Sequence, residues 1–215
     1  MCFSISVAKN KSQLEKKFKA KLEPSFEFEP VSFITAFTKP LVSIITNDKQ
    51  DYIQLYNWGL IPHWVKSEEQ AKDIATKTFN ARSETAHQKP SFRDAFKTQR
   101  CLVLADGFFE WKTEGKIKTP HHIYLKEHEP FAFAGIYNSW VNKETGEIQN
   151  TFSILTQEAN PYMAEIHNLK KRQPIIVHNQ QTWLENGDFN TILNDSYNTQ
   201  FCADVLERDF RKRLL

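Results

Sequence analysis

Cys2 follows the initiator methionine directly. Methionine is normally removed when the next residue is small, and cysteine qualifies. Processing would leave an α-amine and a thiol on one residue, with ordinary pKa values of about 7.7–8.0 and about 8.5. Both groups therefore react near neutral pH with little assistance. Such an aminothiol has a characteristic reaction with aldehydes. The amine forms a Schiff base, and the sulfur then closes on the imine carbon to give a five-membered thiazolidine. Position alone favours the simpler reading of a small residue opening a strand.

Four other segments carry residue types suited to chemistry. In Asn80-Ala81-Arg82-Ser83-Glu84-Thr85, polar residues alternate with small ones, so Asn80 and Arg82 share one side. An amide beside a guanidinium suits a sugar and a phosphate, although a plain polar loop has the same composition. In Ala105-Asp106-Gly107-Phe108-Phe109-Glu110-Trp111 a carboxylate stands between two aromatics. If desolvated there, Glu110 would have a raised pKa and could act as an acid or base; a surface position on a half-buried strand is the alternative. His167 precedes Asn168-Leu169-Lys170-Lys171-Arg172-Gln173-Pro174. A histidine beside a cationic loop can move protons at neutral pH, and the loop can hold phosphates; taken alone, the cluster is better read as a capping histidine and a solvated charge run. Trp58-Gly59-Leu60-Ile61-Pro62-His63-Trp64 forms a rigid aromatic corner that could stack a base or belong to the core.

These segments must be positioned by short elements. Residues 3–7 read as a strand. Ser12–Leu22 reads as a helix, with Ser12 and Glu15 at capping-box spacing and Leu14, Phe18 and Leu22 recurring every four residues. Val31–Phe37, Leu41–Ile45 and Tyr52–Trp58 are strand-like runs. Residues 65–78 are helical or irregular, and a short helix begins near Pro90. Cys101–Ala105 is an apolar strand running on toward Trp111, and a turn at Glu114-Gly115 leads to a strand around His122–Leu125. Phe131–Trp140 and Thr151–Thr156 form a hairpin about Gly146. Asn160-Pro161 opens a helix in the favoured order, Thr182–Glu185 is a brief helix closed near Gly187, and a last helix holds Phe201, Val205 and Leu206. Strands dominate and no regular βαβ alternation appears. The expected fold is α+β: one domain over 1–215, a mostly antiparallel, curved, barrel-like sheet with peripheral short helices.

The whole chain narrows the function classes. It has 215 residues, 40% of them apolar, which suits one sizeable core. Six glycines argue against a Gly-rich phosphate loop. A net charge of +2 excludes a polycation, so any nucleic-acid surface must be a local patch. Three widely spaced cysteines, Cys2, Cys101 and Cys202, are neither a disulfide framework nor a zinc site. The N-terminus lacks the pattern of a signal peptide, and no run is long enough for a membrane span. The expectation is a soluble, cytoplasmic, monomeric protein with reduced thiols.

Taken together, Met1-Cys2, Trp58–Trp64, Asn80–Thr85, Ala105–Trp111, Thr156 with Ala159-Asn160, and His167 leading to Pro174 resemble the SRAP (SOS response-associated peptidase) family of abasic site processing proteins. The likeness spans most of the chain, and the Ala105–Trp111 block is its most specific part. It implies binding of single-stranded DNA with an abasic site, whose ring-opened deoxyribose offers an aldehyde to Cys2. It implies that Asn80 positions the amine or sugar, and that Glu110 is the acid/base of Schiff-base formation and reversal. His167 would assist ring opening by proton transfer. Arg82 and Arg172 would hold phosphates, Thr156 would line the pocket, and Trp58, Trp64 and Pro40 would stack or wedge at the DNA. The chemistry requires no metal and no organic cofactor, and DNA-bound protein would be found at the nucleoid.

The sequence also departs from the family pattern. Phe3 and Ser4 stand where Gly and Arg are common, which removes one phosphate contact. The usual His-x-Arg-Met-Pro tail is stretched between His167 and Pro174, with Arg172 keeping its distance to the proline and Gln173 replacing Met. Phe109 stands where Tyr is common. Two rival readings accompany the resemblance: a thiol peptidase or self-directed N-terminal peptidase using Cys2, and a non-covalent single-strand binder. Strand cleavage by β-elimination, an abasic-site lyase activity, is a further consequence that the family chemistry allows.

Overall fold

The computed structural model describes residues 2–185 and 187–210. In chain order the strands are β1 (Ser4–Val7), β2 (Lys21–Leu22), β3 (Val31–Thr35), β4 (Leu41–Thr46), β5 (Tyr52–Trp58), β6 (Asn80–Arg82) and β7 (Arg100–Ala105). They continue with β8 (Gly107–Glu114), β9 (Ile117–Tyr124), β10 (Phe131–Val141), β11 (Ile148–Glu158), β12 (Arg172–Pro174), β13 (Ile176–Val177) and β14 (Cys202–Val205). The helices are α1 (Lys11–Phe18), α2 (Glu68–Ala75), α3 (Ser83–Ala86), α4 (Arg93–Thr98), α5 (Pro161–Ile166), α6 (Gln180–Leu184) and α7 (Phe189–Tyr197).

Strands β4, β5, β11, β10 and β7 close into a five-stranded barrel. Neighbouring pairs are antiparallel except the seam, where β5 and β11 run parallel at Thr151↔Asn57 and Phe152↔Trp58. Closure removes the exposed edges that an open sheet would carry. A second sheet, ordered β14-β9-β8-β1-β3, lies beside the barrel. Strand β7 is buried along its whole length, and its apolar Cys101–Ala105 run reflects cover on both faces. Its neighbour β10 approaches closely at Gly135, where a Cβ would meet Cys101 Sγ and Val103 Cγ2 at 2.7 Å.

Three tryptophans anchor the core. Trp58, Trp140 and Trp183 are wholly enclosed, and each donates its indole N–H to a backbone carbonyl, of Phe79, Val65 and Cys101 respectively. The donor is thereby satisfied while the ring contributes its apolar area.

The α+β, barrel-like architecture expected from the sequence is the one found. Two local expectations are corrected. The first helix begins earlier, because Asn10 and not Ser12 caps it, with Gln13 completing the capping box. It ends at Phe18, where Lys19 turns left-handed (φ 54°), and Lys21–Leu22 pair with β5 as a strand. Glu15 receives the Leu22 backbone N–H instead of capping. The segment Phe201–Leu206 is not a helix. Cys202–Val205 forms β14 against β9, while the preceding helix is Phe189–Tyr197, capped by Asp188. Periodicity misled here because Phe201 is buried against Phe108 of β8 while Val205 is exposed on the edge strand of that sheet.

Candidate functional site

Four of the chemically suited residues meet at the junction of the two sheets. Cys2 precedes β1, which lies between β3 and β8. Asn80 opens β6, a three-residue strand held parallel to β11 by Ile154↔Asn80. Its side-chain Nδ2 donates to the Cys2 carbonyl at 2.8 Å across 78 positions of sequence. The Asn80 Oδ1 is buried and has no hydrogen-bond partner among the described residues, so an acceptor is kept beside Cys2.

Glu110 lies on β8, two residues beyond the Ile5↔Phe108 pair that registers β8 on β1. It is buried, and its carboxyl is pushed up to about 7. Desolvation is the main cause, and Lys170 acts in the opposite direction. The Cys2 thiol is fully buried and points at the Ser4 carbonyl, 3.6 Å away. Burial pushes it far up, and the neighbouring Glu110 charge adds to the effect.

His167 ends α5, a helix opened by Asn160 as N-cap and Pro161 at its start, as the sequence indicates. Its Nδ1 lies 3.8 Å from Glu110 Oε1, too far for a hydrogen bond, and 2.8 Å from the Arg172 carbonyl. A carbonyl can only accept, so Nδ1 carries the proton and Nε2 is the basic nitrogen. Burial first, then nearby positive charge, lowers the His167 pKa to about 4 despite the Arg172 carbonyl. Near neutral pH the ring is neutral, so Glu110 and His167 are an acid and a base in proximity and not an ion pair. Around them a cleft of about 370 Å³ is lined by Phe3, Ser4, Phe37, Trp111, Lys118 and Lys170, among others.

Several expected contacts fall elsewhere. Trp58 stacks on Phe152 inside the barrel and offers no face to a base. Thr156 is fully buried; its hydroxyl donates to the Ala81 carbonyl and accepts from Arg172 Nη2, so it props the site from beneath instead of lining the cleft. Arg172 is already committed. Its guanidinium grips Glu84 bidentately at 2.6 and 2.9 Å and also donates to the Thr156 carbonyl at 2.6 Å. Arg82 is exposed at the end of β6. Trp64 is 45% exposed, with its N–H on the Pro90 carbonyl. Pro40 is half-buried before β4, and its carbonyl accepts the Trp58 backbone N–H at 3.0 Å.

The sequence reading passed over Lys118, Trp111 and Thr113, all of which line the cleft. A signal for Lys118 existed: Glu114↔Ile117 flank a two-residue turn at Gly115, a register that sets Thr113 opposite Lys118. Among the described residues no group of histidines, cysteines and carboxylates could hold a metal, and no helix is long and apolar enough to cross a membrane.

Comparison with known proteins gives one consistent picture. The family model for the SOS response associated peptidase (SRAP) matches residues 1–204. The abasic site processing protein YoqW of Bacillus subtilis is 38% identical over 164 residues, covering 75% of this chain and 69% of that protein. The abasic site processing protein HMCES of Gallus gallus is 32% identical over 150 residues, but only 44% of its length is covered. A crystal structure from Bacteroides thetaiotaomicron superimposes with a TM-score of 0.88 at 36% identity, covering 98% of this chain and 94% of that one. One from Bordetella bronchiseptica, at a TM-score of 0.76 and 22% identity, shares the fold.

Proposed function

Because the chain belongs to the SRAP family, we propose that it captures abasic sites in single-stranded DNA as a covalent thiazolidine on Cys2 after loss of Met1. The observation that carries this reading is that Cys2, Asn80, Glu110 and His167 meet from four separate elements, with Asn80 on the Cys2 carbonyl, Glu110 beside the buried Cys2 thiol, and Glu110 and His167 lining the cleft.

The steps follow from the protonation states. His167, neutral with Nε2 basic, takes the proton of the C1 hydroxyl and returns it to the ring oxygen as the C1–O4′ bond breaks, so that the aldehyde forms and the imidazole is restored. The Cys2 amine adds to the aldehyde carbon and gives a carbinolamine. Glu110, protonated below about 7, donates to the carbinolamine hydroxyl, which leaves as water. The thiol then adds to the protonated imine carbon and gives its proton to the Glu110 carboxylate. The balance is one aldehyde plus one aminothiol to one thiazolidine plus water, with Glu110 restored. Asn80, holding the Cys2 carbonyl, orients the amine and the sulfur toward one carbon.

A thiol peptidase is less well supported. Such an enzyme needs a thiolate made accessible by a depressed pKa, and here burial drives the Cys2 thiol the other way. The test is a denaturing gel with uracil-excised single-stranded DNA. A shifted band that survives denaturant is expected for wild type. Its persistence with Cys2→Ala or a blocked N-terminus would overturn the reading.

A further inference from the structure

The segment between His167 and Arg172 is fixed to the rest of the site at an unexpected point. Asn168 Nδ2 donates to the Thr113 carbonyl at 2.8 Å, and its Oδ1 accepts the Thr113 backbone N–H at 3.1 Å. Thr113 thus presents both backbone groups to Asn168, as a residue does in the wide, non-hydrogen-bonded pair of an antiparallel ladder. Its partner in that pair, across β9, is Lys118. One amide side chain therefore docks the loop on the outer edge of β8, beside the strand position that carries Lys118. Lys170, two residues further along, reaches the same cleft.

The cations around this cleft divide into two kinds. Arg172 is bound to Glu84 and Thr156, and Lys112 pairs with Glu114 at 3.0 Å. Lys118 and Lys170 are exposed and form no ion pair among the described residues. Ser4, the first residue of β1, lines the same cleft and brings no charge. We propose that Lys118 and Lys170, brought onto one rim by the Asn168–Thr113 contact, form the phosphate clamp of the cleft, and that Arg172 serves as a brace. This rests on the reading of the cleft as a single-stranded DNA site. Two ammonium groups on the rim of the cleft that holds Glu110 and His167 would take the phosphates next to a sugar placed at Cys2.

The test uses non-covalent binding of a short oligothymidylate, which has no aldehyde, measured by anisotropy over a range of salt. Lys118→Ala and Lys170→Ala are each expected to weaken binding about fivefold near 0.1 M salt and to lessen the log–log salt slope by about 0.7. Lys170→Arg should restore both. Asn168→Ala should weaken binding comparably, yet add little on a Lys170→Ala background, since both act through the same charge. Melting curves establish that each variant is folded. Wild-type affinity and slope in the two lysine variants, with the covalent band intact, would overturn the clamp and leave the capture reading standing. Additive losses for Asn168 and Lys170 would overturn the positioning role of Asn168. Failure of wild type to bind or to crosslink would overturn the capture reading itself.

Discussion

Strand β8 and the residue just before it place two buried carboxylates four positions apart, and their surroundings are opposite in kind. Asp106 receives the Ser6 hydroxyl at 2.6 Å and the backbone N–H groups of Ala8 and Lys9 at 2.6 and 2.8 Å. His122 Nε2 lies 3.2 Å from the same serine oxygen, and Gly107 is required beside them because a Cβ there would run into the His122 ring. Those bonds fix the turn out of β1 and leave the carboxylate no freedom. Glu110 sits instead against Cys2 and His167, where desolvation holds its carboxyl near 7. A buried carboxylate surrounded by donors is a structural joint. One left to titrate near neutrality can move a proton.

The largest effect expected is on the chemistry. Cys2→Ala should abolish the denaturant-resistant DNA adduct while leaving the melting temperature close to that of wild type, since it removes one buried sulfur. Next come the two carboxylates, which should separate cleanly. Glu110→Gln should slow adduct formation by about 10²–10⁴-fold in a quenched time course, the usual worth of a positioned acid or base. Asp106→Ala should leave three donors without their acceptor and cost on the order of 3 kcal/mol in a urea titration. A structural loss in Glu110→Gln as large as that in Asp106→Ala would erase the distinction.

Smaller, and sharper, is the dependence of stability on pH. The Glu110 pKa is raised on folding from 4.5 to about 7. The folded state therefore holds a proton that the unfolded state releases, so this group lowers stability as pH rises from about 4.5 to about 7. The His167 pKa is depressed on folding from 6.5 to about 4. Its contribution is present above 6.5 and is lost as pH falls toward 4. Over the shared window the two slopes oppose each other. Glu110→Gln should unmask stability that rises with pH between about 4 and 6.5, and His167→Gln should unmask the reverse between about 4.5 and 7. Parallel pH profiles for the two variants in chemical denaturation would show that the pair is not the neutral acid and base described above.

The smallest effect belongs to the brace. Glu84 is half exposed, so Glu84→Gln should cost under about 1 kcal/mol, solvent screening having already weakened the pair. It should nevertheless slow adduct formation, because Arg172 holds the carbonyl that orients the His167 ring. Unchanged adduct kinetics in that variant would confine Arg172 to stability alone.

How much of the site could be read from the chain follows the range of the interactions involved. Asn160-Pro161 as a helix start and the turn at Gly115 were legible, because capping and turn geometry are decided within a few residues. Cys2, Asn80, Glu110 and His167 were legible as residue types in recognisable segments. The first capping box was displaced by two residues because Asn10 and Gln13 fit the same geometry as Ser12 and Glu15. The stretch Cys202–Val205 carries a pattern suited to a helix, yet β9 offers it a free edge, and pairing with that edge prevails.

By itself, then, the sequence determined the residue types this protein has to work with: a cysteine directly after Met1, a carboxylate between aromatics at Glu110, and a histidine closing a short helix. Tertiary structure decided how each is used. Asn80 meets Cys2 across 78 positions and Arg172 meets Glu84 across 88, so no local pattern could say that Arg172 is spent or that Asn80 is engaged. Trp58 and Trp64 look alike in sequence, and only barrel closure buries the first and leaves the second at the surface. The reason is common to all three cases. Local geometry sets which way a side chain leaves the backbone, whereas burial, partners and pKa depend on what distant strand register brings against it.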